Sequence, residues 1–308
     1  MAEIYQYLNY TNENATPEDL EEAILNGVDV NGTSSQEDFQ SALALANYEE
    51  AKILIKYGAD VNYKDPLGEN ALFYELLMGD MWHPESVKEK IKLLMDSGID
   101  INALNDEDEN ILFACRKAHH FMFFLNKIDN IFQINKNGWN IAYSIFLWEN
   151  NDTDKIKLLE ILKDKGINLH ILNNENTNYL SCTTSKVMLK YLINEGLNVN
   201  QIDKYGRTLL NSCNDEHIAL TLINEGNADI HICDNEGRNA LNNLSFYPTV
   251  CELMLNKGIE IINFPEDFET MRIFNLVEKT YIKRIEEEKN LLKDNIQHDL
   301  SKINKNRL

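Results

Sequence analysis

The sequence predicts an all-α repeat solenoid, a stack of helix-turn-helix units with hairpin loops, closed by a C-terminal helical cap. Three observations carry that expectation. First, a glycine followed shortly by Asp or Asn, an apolar residue and Asn or His recurs along the chain. It appears as GVDVN from Gly27, GADVN from Gly58, GIDIN from Gly98, GINLH from Gly166 and GLNVN from Gly196, then as the longer GNADIH from Gly226 and the degenerate GIEII from Gly258. The glycines are 31, 40, 68, 30, 30 and 32 residues apart, and the 68-residue gap is twice 34, with IDNIF from Ile128 where a copy is required. Second, ten to eleven residues past the glycine comes another turn, such as PLGEN, KNGWN, KYGRT or NEGRN, which ends in Asn or Thr. Third, amphipathic segments then run to the next glycine. No unit of this length buries its apolar face alone, whereas stacked neighbours share one core.

In chain order, residues 1–14 are expected to form an N-terminal cap segment. ATPEDLEEAILNG, residues 15–27, reads as the second helix of an incomplete first unit, with Thr16 as N-cap and Pro17 at the first helical position. The array extends over residues 15–265 in about eight units. Ser41, Asn70, Asn110, Asn140, Asn178, Thr208 and Asn239 are placed to cap the first helix of each unit, because a short polar side chain accepts from a free first-turn N–H. Second helices such as EEAKILIKYG, VKEKIKLLMDSG, TDKIKLLEILKDKG and SKVMLKYLINEG end at a glycine that reads as a left-handed stop. In DEDEN and NENTN the second turn lacks glycine, and Asp or Asn is expected to adopt its geometry. Residues 266–308 are expected to be a helical extension. Its Phe274, Val277, Tyr281, Ile285, Leu292 and Ile296 line one stripe, read as a cap on the last unit, with a coiled-coil dimer as the competitor.

This pattern resembles the ankyrin repeat family over roughly residues 16–263. The resemblance implies an extended hairpin and two antiparallel helices per unit, and binding of protein partners by hairpin tips and first helices. The family's Thr-Pro-Leu-His start is replaced by NALF, NILF, NIAY, NYLS, TLLN and NALN, so less uniform repeats are expected. Cys115 and Cys213 fall five residues after their caps, where the family takes a small residue, and therefore read as core.

Irregularities point to candidate contacts. Two units are long, with extra residues at MGDMWHPES and FLWENNDTD, which hold Trp82 and Trp148. Insertions in repeat arrays collect on one face, often the binding face, and tryptophan is enriched in interface hot spots. The competing expectation is that both rings fold back on their own helices. At the turn tips the candidates are Trp139, Leu67 and Tyr205, with the acids Asp106, Glu107, Asp108, Glu109, Asp203, Asp234 and Glu236.

The formal charge is −21, and its distribution is uneven. Residues 271–308 hold nine Lys/Arg and six Asp/Glu, a balance of +3, which leaves −24 on residues 1–270. Such a body repels nucleic acid and acidic membranes and favours a basic protein partner; solubility alone is the competing explanation. Five cysteines without a CxxC spacing, and no apolar run of membrane-spanning length, fit a cytoplasmic protein, with an exported effector left open.

No motif for a nucleophile, phosphate loop or metal is present, so no catalytic, cofactor-binding or metal residue is expected. His170 and His231 occupy the slot of Asn31, Asn62, Asn102 and Asn200, which reads as structural, and the neighbours His119 and His120 do not share a helix face. The expected function is a non-enzymatic interaction module that holds a basic protein on an acidic concave surface. An immunity or inhibitor protein that neutralises a toxin or nuclease is the sharper alternative. A host-targeting effector or a non-catalytic enzyme subunit is the remaining one. The expected state is a monomer, with dimerisation through the C-terminal helix as the variant.

Overall fold

The computed structural model describes residues 4–33, 40–82, 86–148 and 151–262, together with 275, 276, 279, 280, 282–294 and 296; the side chains of 79–82 are not described. The chain is all-α. Among the described residues the strand-like pairing consists of two isolated bridges, Thr33 with Ser41 and Ile134 with Asn140. No helix there is long and apolar enough to cross a membrane. Two compact units form, Met1–Asn174 and Glu175–Leu308.

The first unit contains α1 (Pro17–Leu25), α2 (Ala42–Leu45), α3 (Tyr48–Lys56), α4 (Ala71–Trp82), α5 (Val87–Asp96), α6 (Ile111–Ala114), α7 (Ala118–Leu125), α8 (Ala142–Phe146) and α9 (Asp152–Asp164). Short first helices pack on one another, α2 on α4, α4 on α6 and α6 on α8, while α3 packs on α1 and α5. The core lies between the two rows. Leu43, Leu72, Phe73, Leu112 and Ile145 from the first row meet Leu54, Leu94, Phe121 and Phe124 from the second, all buried. Before α1, a 3-10 turn, Ile4–Tyr7, packs against that helix where a first helix would stand in a complete pair. Its Ile4 and Tyr5 are buried with Leu8. The Tyr5 hydroxyl lies 2.6 Å from the Gln40 carbonyl oxygen, and the buried Glu50 carboxylate accepts from the Asn9 and Asn47 N–H groups at 2.6 and 2.8 Å.

The second unit contains α10 (Lys186–Asn194), α11 (Leu209–Ser212), α12 (Glu216–Asn224), α13 (Ala240–Leu244) and α14 (Pro248–Asn256). There α10 packs on α12, α12 on α14 and α11 on α13. Where the caps predicted a short α-helix after Asn178, the chain instead makes a 3-10 turn, Tyr179–Cys182, and leaves it at Thr183 in extended conformation. Thr183 and Thr184 follow directly, and β-branched residues disfavour continuation.

Short first helices end for a local reason. After α2, α6 and α11 the next residue, Ala46, Cys115 or Cys213, is buried and in extended conformation, which turns the chain toward its second helix. α4 differs, running 12 residues to Trp82. At the same slot, five residues past its cap, it carries Glu75. Glu75 Oε2 pairs with Lys90 Nζ of α5 at 2.7 Å, with side-chain exposures of 1 % and 0 %. Lys90 also donates to the Ala44 carbonyl oxygen at 3.0 Å, a C-terminal acceptor of the neighbouring α2. Three helices from consecutive pairs therefore meet at one buried ammonium.

Of the stripe expected to cap the last pair, Ile285 is half-buried and the described residues beyond it are exposed. Residues 282–294 are helical, but Leu292 and Ile296 are 60 % and 56 % exposed. Phe274, Val277 and Tyr281 lie outside the described residues.

Candidate functional site along the turn tips

Each tip is built by one Asp or Asn. Asp65, Asn105, Asn135, Asp203 and Asp234 accept through Oδ1 from the N–H groups two and four residues ahead, at 2.8 to 3.1 Å. A reciprocal backbone bond closes each of these five loops, for example Asp65 N–H to the Glu69 carbonyl oxygen at 3.0 Å. The geometry demands one left-handed residue. Gly68 supplies it at φ 76°, and Asp108 and Asn176 do so at 59° and 62°, as the sequence predicts for the two tips without glycine.

Adjacent tips are stitched through their backbones. In the first unit Asp106 N–H donates to the Leu67 carbonyl oxygen, Lys136 to Glu107 and Asn174 to Asn137, at 2.8 to 2.9 Å. In the second, Lys204 donates to Glu175 and Asn235 to Tyr205, at 3.0 and 2.9 Å. The approach is close: a Cβ on Gly68 would stand 2.8 Å from Asp106 N.

A second row of asparagines staples consecutive helix pairs together within each unit. Asn70, Asn110, Asn140, Asn178 and Asn239 each accept an N–H of their own helix through Oδ1 while Nδ2 donates to a carbonyl of the following turn, Asp100, Asn130, Asn168, Asn198 or Glu260. Thr208 has no amide, and Asn211 makes the equivalent bond to the Ile232 carbonyl oxygen at 2.9 Å. Asn31, Asn62, Asn102 and Asn200 accept from Asp60, Asp100, Asp129 and Asp229 N–H groups, the structural task expected for that slot.

The candidate residues divide sharply. Asp106, Glu107 and Asp108 are exposed at one tip, and Leu67 is 62 % exposed at the tip before it. Glu109 is half-buried and accepts from Asn135 Nδ2 at 2.6 Å. In the second unit Tyr205 is 52 % exposed, with Arg207 Cζ and Lys204 Nζ 4.7 and 5.1 Å from its ring centre. Glu236 is exposed but pairs with Arg238 at 2.9 Å. Asp203 and Asp234 are not free acids: their side chains are 9 % and 6 % exposed and they pair with Arg207 and Arg238 at 2.7 and 2.9 Å. Burial pushes both carboxyls up, but the arginine and tip N–H bonds outweigh it and hold them below the usual aspartate range.

The tryptophans need correction as contact candidates. Trp139 is 5 % exposed, because its indole lies parallel to the Tyr143 ring with centroids 5.5 Å apart. Trp148 is 4 % exposed; it turns not onto its own helices but onto the preceding pair, where Nε1 donates to the Cys115 carbonyl oxygen at 2.6 Å and its ring meets Phe121 of α7 edge-on. Buried rings offer no face to a partner. The side chain of Trp82 lies outside the described residues.

An ionic cluster behind the tips is absent from the sequence reading. Glu69 accepts from Asn105 Nδ2 at 3.3 Å, and burial pushes its carboxyl up, with Asp65 and Glu109 adding to the rise and Arg116 opposing it. Arg116 itself donates through Nη1 to the Phe113 carbonyl oxygen at 2.8 Å, closing α6. The register held a signal for the other missed group: Glu75 is charged in a slot where Ala46, Cys115 and Cys213 are small.

Cys115 and Cys213 are free and buried, and burial raises both thiols; that of Cys182 is pushed up to about 12 by burial. Such thiols are poor nucleophiles. Among the described residues no group of His, Cys, Asp and Glu is arranged to hold a metal. No protein-family model matches the chain.

Proposed function

We propose that the chain is an ankyrin-like solenoid and a non-enzymatic interaction module, and that it binds a basic protein through the acidic tips of its repeats. The observation that carries this reading is the tip at 105–109. Its backbone N–H groups are consumed by the loop and by the stitch to the tip before it, whereas the carboxylates of Asp106, Glu107 and Asp108 remain exposed beside the aliphatic Leu67. A rigid frame that presents unneutralised charge costs little conformational entropy on association. The −24 balance of residues 1–270 adds long-range attraction for a cation-rich surface and speeds encounter.

The same charge supports a sharper form, in which the module inhibits a basic enzyme such as a nuclease by covering its positive cleft. Association rather than bond chemistry is the mechanism in either form.

The test starts from a partner recovered with the full chain at low salt. Its affinity is then measured by calorimetry for the parent and for Asp106→Lys/Glu107→Lys/Asp108→Lys. The expected result is a basic partner, affinity that falls with salt, and a further loss of roughly tenfold or more in the variant, with circular dichroism unchanged. An acidic or neutral partner, bound equally by both proteins at every salt concentration, overturns the reading.

A further inference from the structure

The helix over residues 282–294 leaves most of its surface in water. Ile282, Leu291, Leu292 and Ile296 are 49 %, 66 %, 60 % and 56 % exposed, Ile285 is half-buried, and every described residue beyond Ile285 is exposed. Its tie to the last helix pair is at the N-terminal end. There Arg284 Nη2 donates to the Asn256 carbonyl oxygen at 3.3 Å, and Thr280 and Arg284 border an open groove of about 520 Å³ with Leu255 and Ile259.

All of these apolar residues except Leu291 fall on a seam. Ile282, Ile285, Leu292 and Ile296 follow the a and d positions of a heptad pattern, with Lys289 at the intervening a position, Glu286 and Lys293 at e, and Glu288 at g. Residues 282–294 carry four Lys/Arg and four Asp/Glu, a balance of zero, in a chain whose residues 1–270 carry −24. Two copies repel each other strongly through their bodies and not at all through this helix.

We propose that this face pairs with the same helix of a second copy of the chain, in antiparallel orientation. Orientation follows from the charged positions. A parallel pair would set Lys289 against Lys289 of the other copy. An antiparallel pair that seats Ile282 on Leu292 of the other copy instead places Lys289 opposite Ile285, where its methylene stem covers the apolar group and the ammonium reaches water. It also brings Glu286 to Lys293 of the other copy, twice by symmetry. Antiparallel packing further carries the two acidic bodies to opposite ends of the helix pair. The seam is only about two heptads long, so the dimer is weak and dissociates on dilution.

Sedimentation velocity on the full chain over a concentration series tests this. The expected result is a monomer-dimer equilibrium, weakened roughly tenfold or more by Leu292→Lys, with circular dichroism and melting unchanged because that side chain is exposed. Lys293→Glu also weakens the dimer, and adding Glu286→Lys restores it. A monomer at every concentration, or a dimer indifferent to Leu292→Lys, overturns the proposal. Rescue of Lys293→Glu by Glu288→Lys in place of Glu286→Lys overturns the antiparallel pairing, since Glu288 faces Lys293 only in a parallel pair.

Discussion

Glu69 stands one residue before the cap of α4, half-encased by the tip that follows it. Burial raises its carboxyl above the ordinary glutamate value of 4.5, and Asp65 and Glu109 add to the rise. For a carboxyl whose value rises on folding, the folded chain holds more protons than the unfolded chain between the two values. Stability therefore falls as pH climbs from 4.5 through that interval and stays reduced above it. Glu69→Gln keeps an oxygen for Asn105 Nδ2 and removes the charge. It is expected to raise the melting temperature at pH 7, with the gain vanishing below the unfolded value; thermal melts across pH measure this, and no gain at neutral pH would refute it. Positions of this kind were partly legible. Asn and Thr caps, left-handed Asp108 and Asn176, and polar Asn31 and Asn62 follow directly from turn chemistry that local sequence encodes. Trp139 did not, because its slot holds Glu69, Glu109, Arg207 or Arg238 in other copies. There the indole is buried and stacks on Tyr143, one helical turn on.

At the scale of elements, α4 is the departure from the common plan. Its neighbours stop after four or five residues, whereas α4 continues past the slot where they leave the helix. Glu75 is the residue at that slot, and Lys90 secures it to α5 and to the end of α2. Glu75 Oε1 is buried without a hydrogen-bond partner, so the pair is incompletely satisfied. Lys90→Met alone leaves a buried carboxylate unpaired and is expected to cost about 3–5 kcal/mol, as is Glu75→Leu alone. The double variant is expected to lie within about 1 kcal/mol of the parent or above it, since a well-packed apolar pair often replaces a buried ion pair without loss. Denaturant melts of the four proteins form the cycle, and additive losses in the double variant would contradict it. Helix starts and stops were readable from caps and glycines. The length of α4 was not, because the counting that located extra residues could not say whether they extend a helix or form a loop.

Across the whole molecule the sequence period passes without interruption through the division at Asn174 and Glu175. That division falls inside NENTN, a tip with the same terminal Asn as its neighbours, so no change of composition marks it. Charge acts at this scale too. A body of −24 repels itself in the folded state more than in the expanded chain. Raising sodium chloride from about 0.01 to 0.15 M shortens the screening length from about 30 to 8 Å. The melting temperature is expected to climb across that range; a flat or falling dependence would mean that local ion pairs such as Lys204–Glu175 outweigh the global repulsion.

The stitched tips also decide where this chain can change length. The tips at 105–109, 135–139 and 203–207 each give one N–H backward and one carbonyl forward, so a residue added there unseats bonds to both neighbours. In the two long repeats the described surplus lies in the helices, α4 with 12 residues and α9 with 13, against four to ten in the other described α-helices. Growth and loss of residues are thereby confined to the helix pairs, and within each unit the stitched tips keep their spacing however the helices are edited.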